Sequence, residues 1–154
     1  KMWVATRSLD RATFPGQLDN VVAGGQPSNL TIVENVIKEC NEEASIPAWL
    51  AVEARSTGLI SYRMRSSGGL RRHVMYTYDL VMPVDFIPKP NDGEVENFSL
   101  VNIEDIEEIL QKSPNAFKFN CNLVVIDFLI RHGLIHSEDP VYFEIINGLR
   151  SPLD

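Results

Sequence analysis

Cysteine is scarce in this 154-residue chain: Cys40 and Cys121 are its two, and neither has a Cys or His within four residues. A disulfide framework or a zinc cage needs more thiols or a Cys/His cluster, so a reducing compartment is the simpler reading. Histidine is almost as rare, and His73, His132 and His136 read as structural residues. Long apolar runs are missing too. The longest, Leu123 to Ile130, is broken by Asp127 and falls far short of the roughly 20 residues that span a bilayer. Basic charge is outnumbered, 14 Lys and Arg against 21 Asp and Glu, and a net charge of −7 repels nucleic acid phosphates and anionic membranes. Neither is an expected partner. There is no internal repeat and no low-complexity segment. Lys1 rather than Met opens the chain, and Met2-Trp3-Val4-Ala5 reads like the middle of a strand, so a fragment of a longer protein is expected.

What is present is ordinary for a globular domain: 44% hydrophobic and 23% charged residues. A chain of this length buries roughly 68–70% of its unfolded surface, so one domain with one core is the expectation. Partial alternation predicts strands over Met2–Ser8 and Leu18–Ala23, paired antiparallel across the Pro15-Gly16 turn. Thr31-x-x-Glu34 is a capping box, and Val33, Val36, Ile37, Cys40 and Ala44 give the helix behind it one buried face, ending near Ser45 to Pro47. Strands over Thr57–Arg65 and Arg72–Met82 are predicted around Ser66-Ser67-Gly68-Gly69, and a third near Val95–Val101. Three helices follow: Ile103–Leu110, Asn120–His132 closed by Gly133, and Pro140–Gly148 with Asp139 as N-cap. The order β-β-α-β-β-β-α-α-α indicates an α/β fold with helices packed on sheet.

Chemistry concentrates on the first helix. Glu39, Glu42 and Glu43 stand at i, i+3 and i+4, inside an arc of roughly 100° on one face. That face lies about 120° away from the apolar residues. A solvated charged face is one reading. Yet like charges at this spacing destabilise a helix, and the C-terminal end of the macrodipole disfavours anions. A cation belongs there, and hard divalent ions such as Mg2+ take oxygen ligands of this kind.

These residues carry a resemblance. Gly24-Gly25 and Lys38-Glu39-Cys40-Asn41-Glu42-Glu43-Ala44-Ser45-Ile46 resemble the Nudix box, G-x5-E-x7-R-E-U-x-E-E-x-G-U with U a bulky aliphatic. By position Gly24 takes the first Gly, Lys38 the Arg, Glu39 the first Glu of the core, Glu42 and Glu43 the pair, and Ile46 the last aliphatic. Leu30 stands where the box has its first Glu, Lys38 replaces Arg, and Ser45 replaces Gly. Segments such as Trp3–Ser8, Pro15–Asn20, Asp92–Phe98 and Phe117–Gly133 resemble the Nudix subgroup related to thiamine pyrophosphokinase.

The resemblance implies a Nudix α/β/α sandwich with a mixed sheet and extra C-terminal helices, in a catalytic domain that commonly follows another domain. It implies a diphosphatase that converts oxo- and oxythiamine diphosphate to monophosphates. Mg2+, or Mn2+ in its place, would be held by Glu39, Glu42, Glu43 and the Gly24 or Gly25 carbonyl. Glu94 and Glu96 are candidates for a further base or ligand, because Asp92 to Glu108 holds seven acids and no base. Lys38 can steer Glu42 at i+4, and Arg63 and Arg65, on one face of a strand, can clamp a substrate diphosphate or form a solvated strand end. ADP-ribose-like nucleoside diphosphate derivatives remain an alternative substrate class, and a non-catalytic ligand-binding module an alternative function. Isopentenyl diphosphate isomerase needs a Cys before the box, and Asp19 to Gly25 holds none. The expected partner is a small diphosphate, with a homodimer allowed. The expected compartment is the cytoplasm, or a plastid or mitochondrion if a targeting segment precedes these residues.

Overall fold

Alternating apolar side chains and a well-capped helix set the frame of the chain. The computed structural model describes residues 1–66 and 68–153. It runs β1 (Met2–Arg7), β2 (Leu18–Asp19), α1 (Ile32–Ala44), α2 (Ala48–Ala51), β3 (Arg55–Ser66), β4 (Gly69–Asp79), β5 (Val95–Val101), α3 (Ile103–Lys112), α4 (Phe119–Arg131) and α5 (Tyr142–Leu149). Two units are recognisable: one of Lys1–Ala54 with Leu80–Asn122, the other of Arg55–Asp79 with the residues from Leu123 on.

In the first unit, β1 lies between β2 and β5 in an antiparallel sheet, with Ala5 opposite Asp19 on one side and Phe98 on the other. The expected second strand stops at Asp19. Asn20 donates its amide to the Asp19 side chain at 2.8 Å, and Ala23 donates its amide to Glu43 at 3.0 Å, so the chain leaves the ladder for α1. The capping box forms in both directions: the Glu34 amide donates to Thr31 Oγ1 at 3.3 Å and the Thr31 amide to Glu34 Oε2 at 2.8 Å.

The other end of α1 accounts for one departure from the box. Ser45 adopts left-handed backbone, φ 52°, the conformation a Gly would supply without strain. Neighbours offset the cost: Ser45 Oγ donates to the Lys89 carbonyl at 3.0 Å, and the Lys89 amide donates to the Ala44 carbonyl at 3.0 Å. Cys40, Ala44, Ile46, Leu50 and Ala51 then form a buried cluster, with Val36, Ile37 and Phe98 against it. Val33, expected on the apolar face, is 51% exposed. The short α2 was not anticipated; it starts directly after Pro47, whose fixed φ suits a helix entry.

The second unit is a long antiparallel hairpin, β3 with β4, bulged near Gly58 at φ 130°, and covered by helix residues. Ser67 of the expected connection lies outside the described residues. Ile60, Tyr62 and Leu149 are its buried centre, joined by Leu123, Ile130 and Ile145. Full burial of one such aliphatic side chain stabilises by about 1.5–3 kcal/mol. Gly133, at φ 70°, ends α4 as expected. The expected Asp139 cap of α5 is corrected: the helix begins at Tyr142, and Asp139 instead accepts the Val141 amide at 3.0 Å in a tight turn. Ladders between strands are antiparallel, and parallel pairing is confined, among the described residues, to isolated bridges Leu18 with Phe117 and Ser61 with Arg150.

Candidate active site

The loop between β2 and α1 presses on the helix that carries the acids. A side chain at Gly24 would have to displace the Glu39 carboxylate: a Cβ there would lie 2.2 Å from Glu39 Cδ. One turn earlier on α1, Asn35 is 6% exposed and donates from Nδ2 to the Gly25 carbonyl at 3.1 Å. Its Oδ1 is buried with no hydrogen-bond partner among the described residues. The loop is thus fixed to the helix by the Asn35 amide, by the bond from the Ala23 amide to Glu43 and by close contact with the Glu39 carboxylate.

The acidic face of α1 is not the solvated face that the helical wheel suggests. Glu43 is 7% exposed, since the wheel cannot show that residues Ala23 to Gly25 fold over this side of the helix. Burial pushes its carboxyl up to about 7, against the Ala23 amide, which pulls the other way, and with further help from Glu39, Glu94 and Asp92. Glu42 lies nearer solvent. Lys38 Nζ bridges Glu42 Oε2 at 2.5 Å and Glu39 Oε1 at 3.1 Å, and these two bonds hold the ammonium above its ordinary pKa. The expected contact with Glu42 therefore forms, and Glu39 is a second partner.

Among the described residues no three Asp, Glu, His or Cys side chains form a ready metal cage. Lys38 occupies Glu39 and Glu42, while the Ala23 amide holds Glu43. The donor set nevertheless fits a hard divalent cation: all donors are oxygen, Glu39 and Glu43 are close enough to perturb one another, and the Gly24 backbone lies directly against the Glu39 carboxylate. Cys40, within the helix, is 5% exposed, and burial pushes its thiol up to about 11.

A polar cleft adjoins Glu43. Arg7, Arg11, Asp19, Asn20, Glu94 and Lys118 are among its lining, and its volume is about 130 Å3. Glu94 is thereby brought together with Glu43, whereas Glu96 is exposed on β5. Sequence reasoning passed over Asn35 and Arg11. Asn35 stands four residues before Glu39 and seven before Glu42, on the face that carries the acids, which was the available signal for the first, and none marked the second. Arg63 and Arg65 are exposed on β3 of the second unit, facing Arg72 and Leu70 across the ladder.

No family model matches the chain. Individual proteins do. The chain is 43% identical over 150 residues to Nudix hydrolase 24, chloroplastic, of Arabidopsis thaliana, and 42% identical over 150 residues to Nudix hydrolase 20, chloroplastic, of the same plant; each match takes in 97% of the chain. It spans 41% and 40% of those relatives' lengths. Among solved structures, a MutT protein from Methanosarcina mazei Go1 superposes with a TM-score of 0.62 at 18% identity, over 84% of this chain and 83% of that one. The fold is the Nudix α/β fold, and the relatives that the chain matches in sequence are named as Nudix hydrolases.

Proposed function

We propose that the chain is a divalent-metal-dependent Nudix diphosphatase acting on oxidised and antagonist analogues of thiamine diphosphate, releasing phosphate and a monophosphate. The observation that carries the hydrolase reading is the Gly24 cradle against Glu39, one turn from the buried Glu43. The names of the two plant relatives indicate hydrolase chemistry. The thiamine reading is supported by the likeness of the flanking segments, which would wall the leaving group.

Glu39, Glu42, Glu43 and the Gly24 carbonyl are the groups that would hold Mg2+ or Mn2+, which when bound neutralises phosphate charge and lowers the pKa of an attacking water. Lys38 holds Glu39 and Glu42 in place from the solvent side. Glu94, in the cleft beside Glu43, is the candidate base. Burial of Glu43 keeps bulk water from its carboxylate, so a cation meets a strong partner there. The relatives' names carry a chloroplast address, and a plastid is the compartment this reading favours. No helix among the described residues is long and apolar enough to cross a membrane.

A colorimetric phosphate-release screen with millimolar Mg2+ over thiamine, nucleotide and nucleotide-sugar diphosphates tests the reading. The expected result is kcat/KM for an oxidised or antagonist thiamine diphosphate about tenfold above ADP-ribose, equivalent to about 1.4 kcal/mol of transition-state binding, which one ring stack supplies. Faster turnover of ADP-ribose than of every thiamine analogue would remove the subgroup activity and leave the hydrolase. Release from no diphosphate at all would favour a ligand-binding module.

A further inference from the structure

Residues 8–17, between β1 and β2, form a connection pinned along its length. The Arg7 amide donates to the Gln17 carbonyl at 2.9 Å, and the Gly16 amide to the Arg7 carbonyl at 3.2 Å, which closes the base of the loop. The Arg7 guanidinium holds the far side: Nε donates to the Phe14 carbonyl at 3.0 Å and Nη2 to the Thr13 carbonyl at 2.9 Å. Phe14 sits there in left-handed backbone, φ 53°. A further bond, from the Ser8 amide to the Glu94 carbonyl at 2.9 Å, ties the loop to the start of β5.

Three cations of this neighbourhood line the cleft beside Glu43, and two are committed. Arg7 Nη1 lies 2.7 Å from Asp19 Oδ2 with both side chains 8% exposed, and Lys118 shares the same oxygen at 3.2 Å. Arg11 differs. Its Nη1 lies 2.6 Å from Glu94 Oε1, in a pair whose side chains are 35% and 40% exposed. Half-exposed pairs of this kind have little net worth, because water solvates both partners almost as well. A phosphate offers more charge than a carboxylate and matches the planar fork of a guanidinium with two parallel hydrogen bonds. Since the backbone under Arg11 is fixed, only the side chain has to move, and little ordering cost is added on binding.

We propose that Arg11 is an exchangeable anion receptor: it rests on Glu94 in the free chain and transfers to a phosphate of a diphosphate ligand entering the cleft, which releases the Glu94 carboxylate beside Glu43. The ligand class rests on the hydrolase reading above, but the exchange is a binding event and needs no turnover.

The test is calorimetric titration of inorganic diphosphate, with Mg2+ present, into the parent chain, Arg11→Ala, Glu94→Gln and the double variant, each checked for an unchanged melting temperature. Loss of a hydrogen bond to a charged group predicts a Kd raised by about tenfold or more in Arg11→Ala, with Arg11→Lys in between. Glu94→Gln is expected to tighten binding, because it frees Arg11 in advance, and the gain is expected to vanish in the double variant. A pair that merely fixes the loop predicts the opposite sign for Glu94→Gln. The proposal is overturned if the parent does not bind inorganic diphosphate, if Arg11→Ala binds within twofold of the parent, or if the Glu94→Gln gain persists without Arg11. Failure of the hydrolase reading alone would show as these binding changes without phosphate release from any organic diphosphate.

Discussion

Gly24 and Glu39 are packed so closely that a methyl group on the first would lie 2.2 Å from the carboxyl carbon of the second and 2.5 Å from Oε2. The adjacent Gly25 has nothing within 4 Å of the same position among the described residues. Gly24→Ala must therefore push Glu39 aside or move the loop, whereas Gly25→Ala meets open space. Because the atoms met are the end of a flexible side chain, the shift falls on the position of the Glu39 carboxylate rather than on the backbone. The expected outcome for Gly24→Ala is a melting temperature close to the parent and a kcat reduced by at least about tenfold, the rate equivalent of about 1.4 kcal/mol. Gly25→Ala is expected to remain near the parent in both. Equal behaviour of the two variants in steady-state kinetics would show that the contact has no bearing on the site.

Glu42 and Glu43 separate binding from stability. Glu43 is a buried carboxylate held by one amide, and a Gln side chain keeps an oxygen for that amide while removing the charge. Glu43→Gln is expected to lower kcat by about a hundredfold or more, since a neutral amide is a poor ligand for a hard cation. In chelator its melting temperature should equal or exceed that of the parent, because an unpaired buried charge has been removed. Glu42→Gln weakens the bond to Lys38 at the surface, so its melting temperature should change little while kcat falls alike. Activity within threefold of the parent in both variants would defeat the assigned site.

Local patterns account for what could be read in advance. Thr31 and Glu34 announced α1, Gly133 announced the end of α4, and the spacing of Lys38, Glu39, Glu42 and Glu43 brought out the acids, because capping and helical periodicity depend on near neighbours alone. Burial of Glu43 was not legible, since it depends on Ala23, twenty residues away, folding over the helix. The Arg11 contact with Glu94 spans still more chain: the acidic run marks Glu94, but no local feature marks Arg11 as its partner. Ser45 looked like a loss of the box Gly, but its backbone keeps the left-handed turn.

Asn35 offers a test of how the Gly24–Gly25 loop is held. Its Nδ2 donates to the Gly25 carbonyl at 3.1 Å, and its Oδ1 has no partner among the described residues. Asn35→Asp removes the donor and sets a carboxylate against a carbonyl oxygen, while Asn35→Leu removes donor and orphan acceptor together. A buried polar group without its partner costs about 1–3 kcal/mol, and more if charged. The expected order of melting temperatures is parent, then Leu, then Asp. A Leu variant less stable than the Asp variant would show that the amide is not what fixes the loop.

Asp79 governs the acid limb of stability in the second unit. Burial pushes its carboxyl up, but two hydrogen bonds from Arg131, at 2.7 and 2.9 Å, and the nearby His132 outweigh that and hold it below the ordinary 3.8. In the unfolded chain the same carboxyl titrates at its ordinary value, so the folded state binds the proton less readily. The contribution is therefore complete above the ordinary value and is lost as pH falls through the depressed one. With about a third of the side chain exposed, the pair is worth about 1 kcal/mol. Asp79→Asn is expected to melt several degrees below the parent at pH 7, with the gap closing as the pH drops below 3.8. Arg131 keeps its 2.9 Å bond to the buried Asp127 in that variant, so the fold survives the substitution. A gap that stays constant from pH 7 to pH 3, followed by differential scanning calorimetry, would mean that packing rather than the ion pair accounts for the loss.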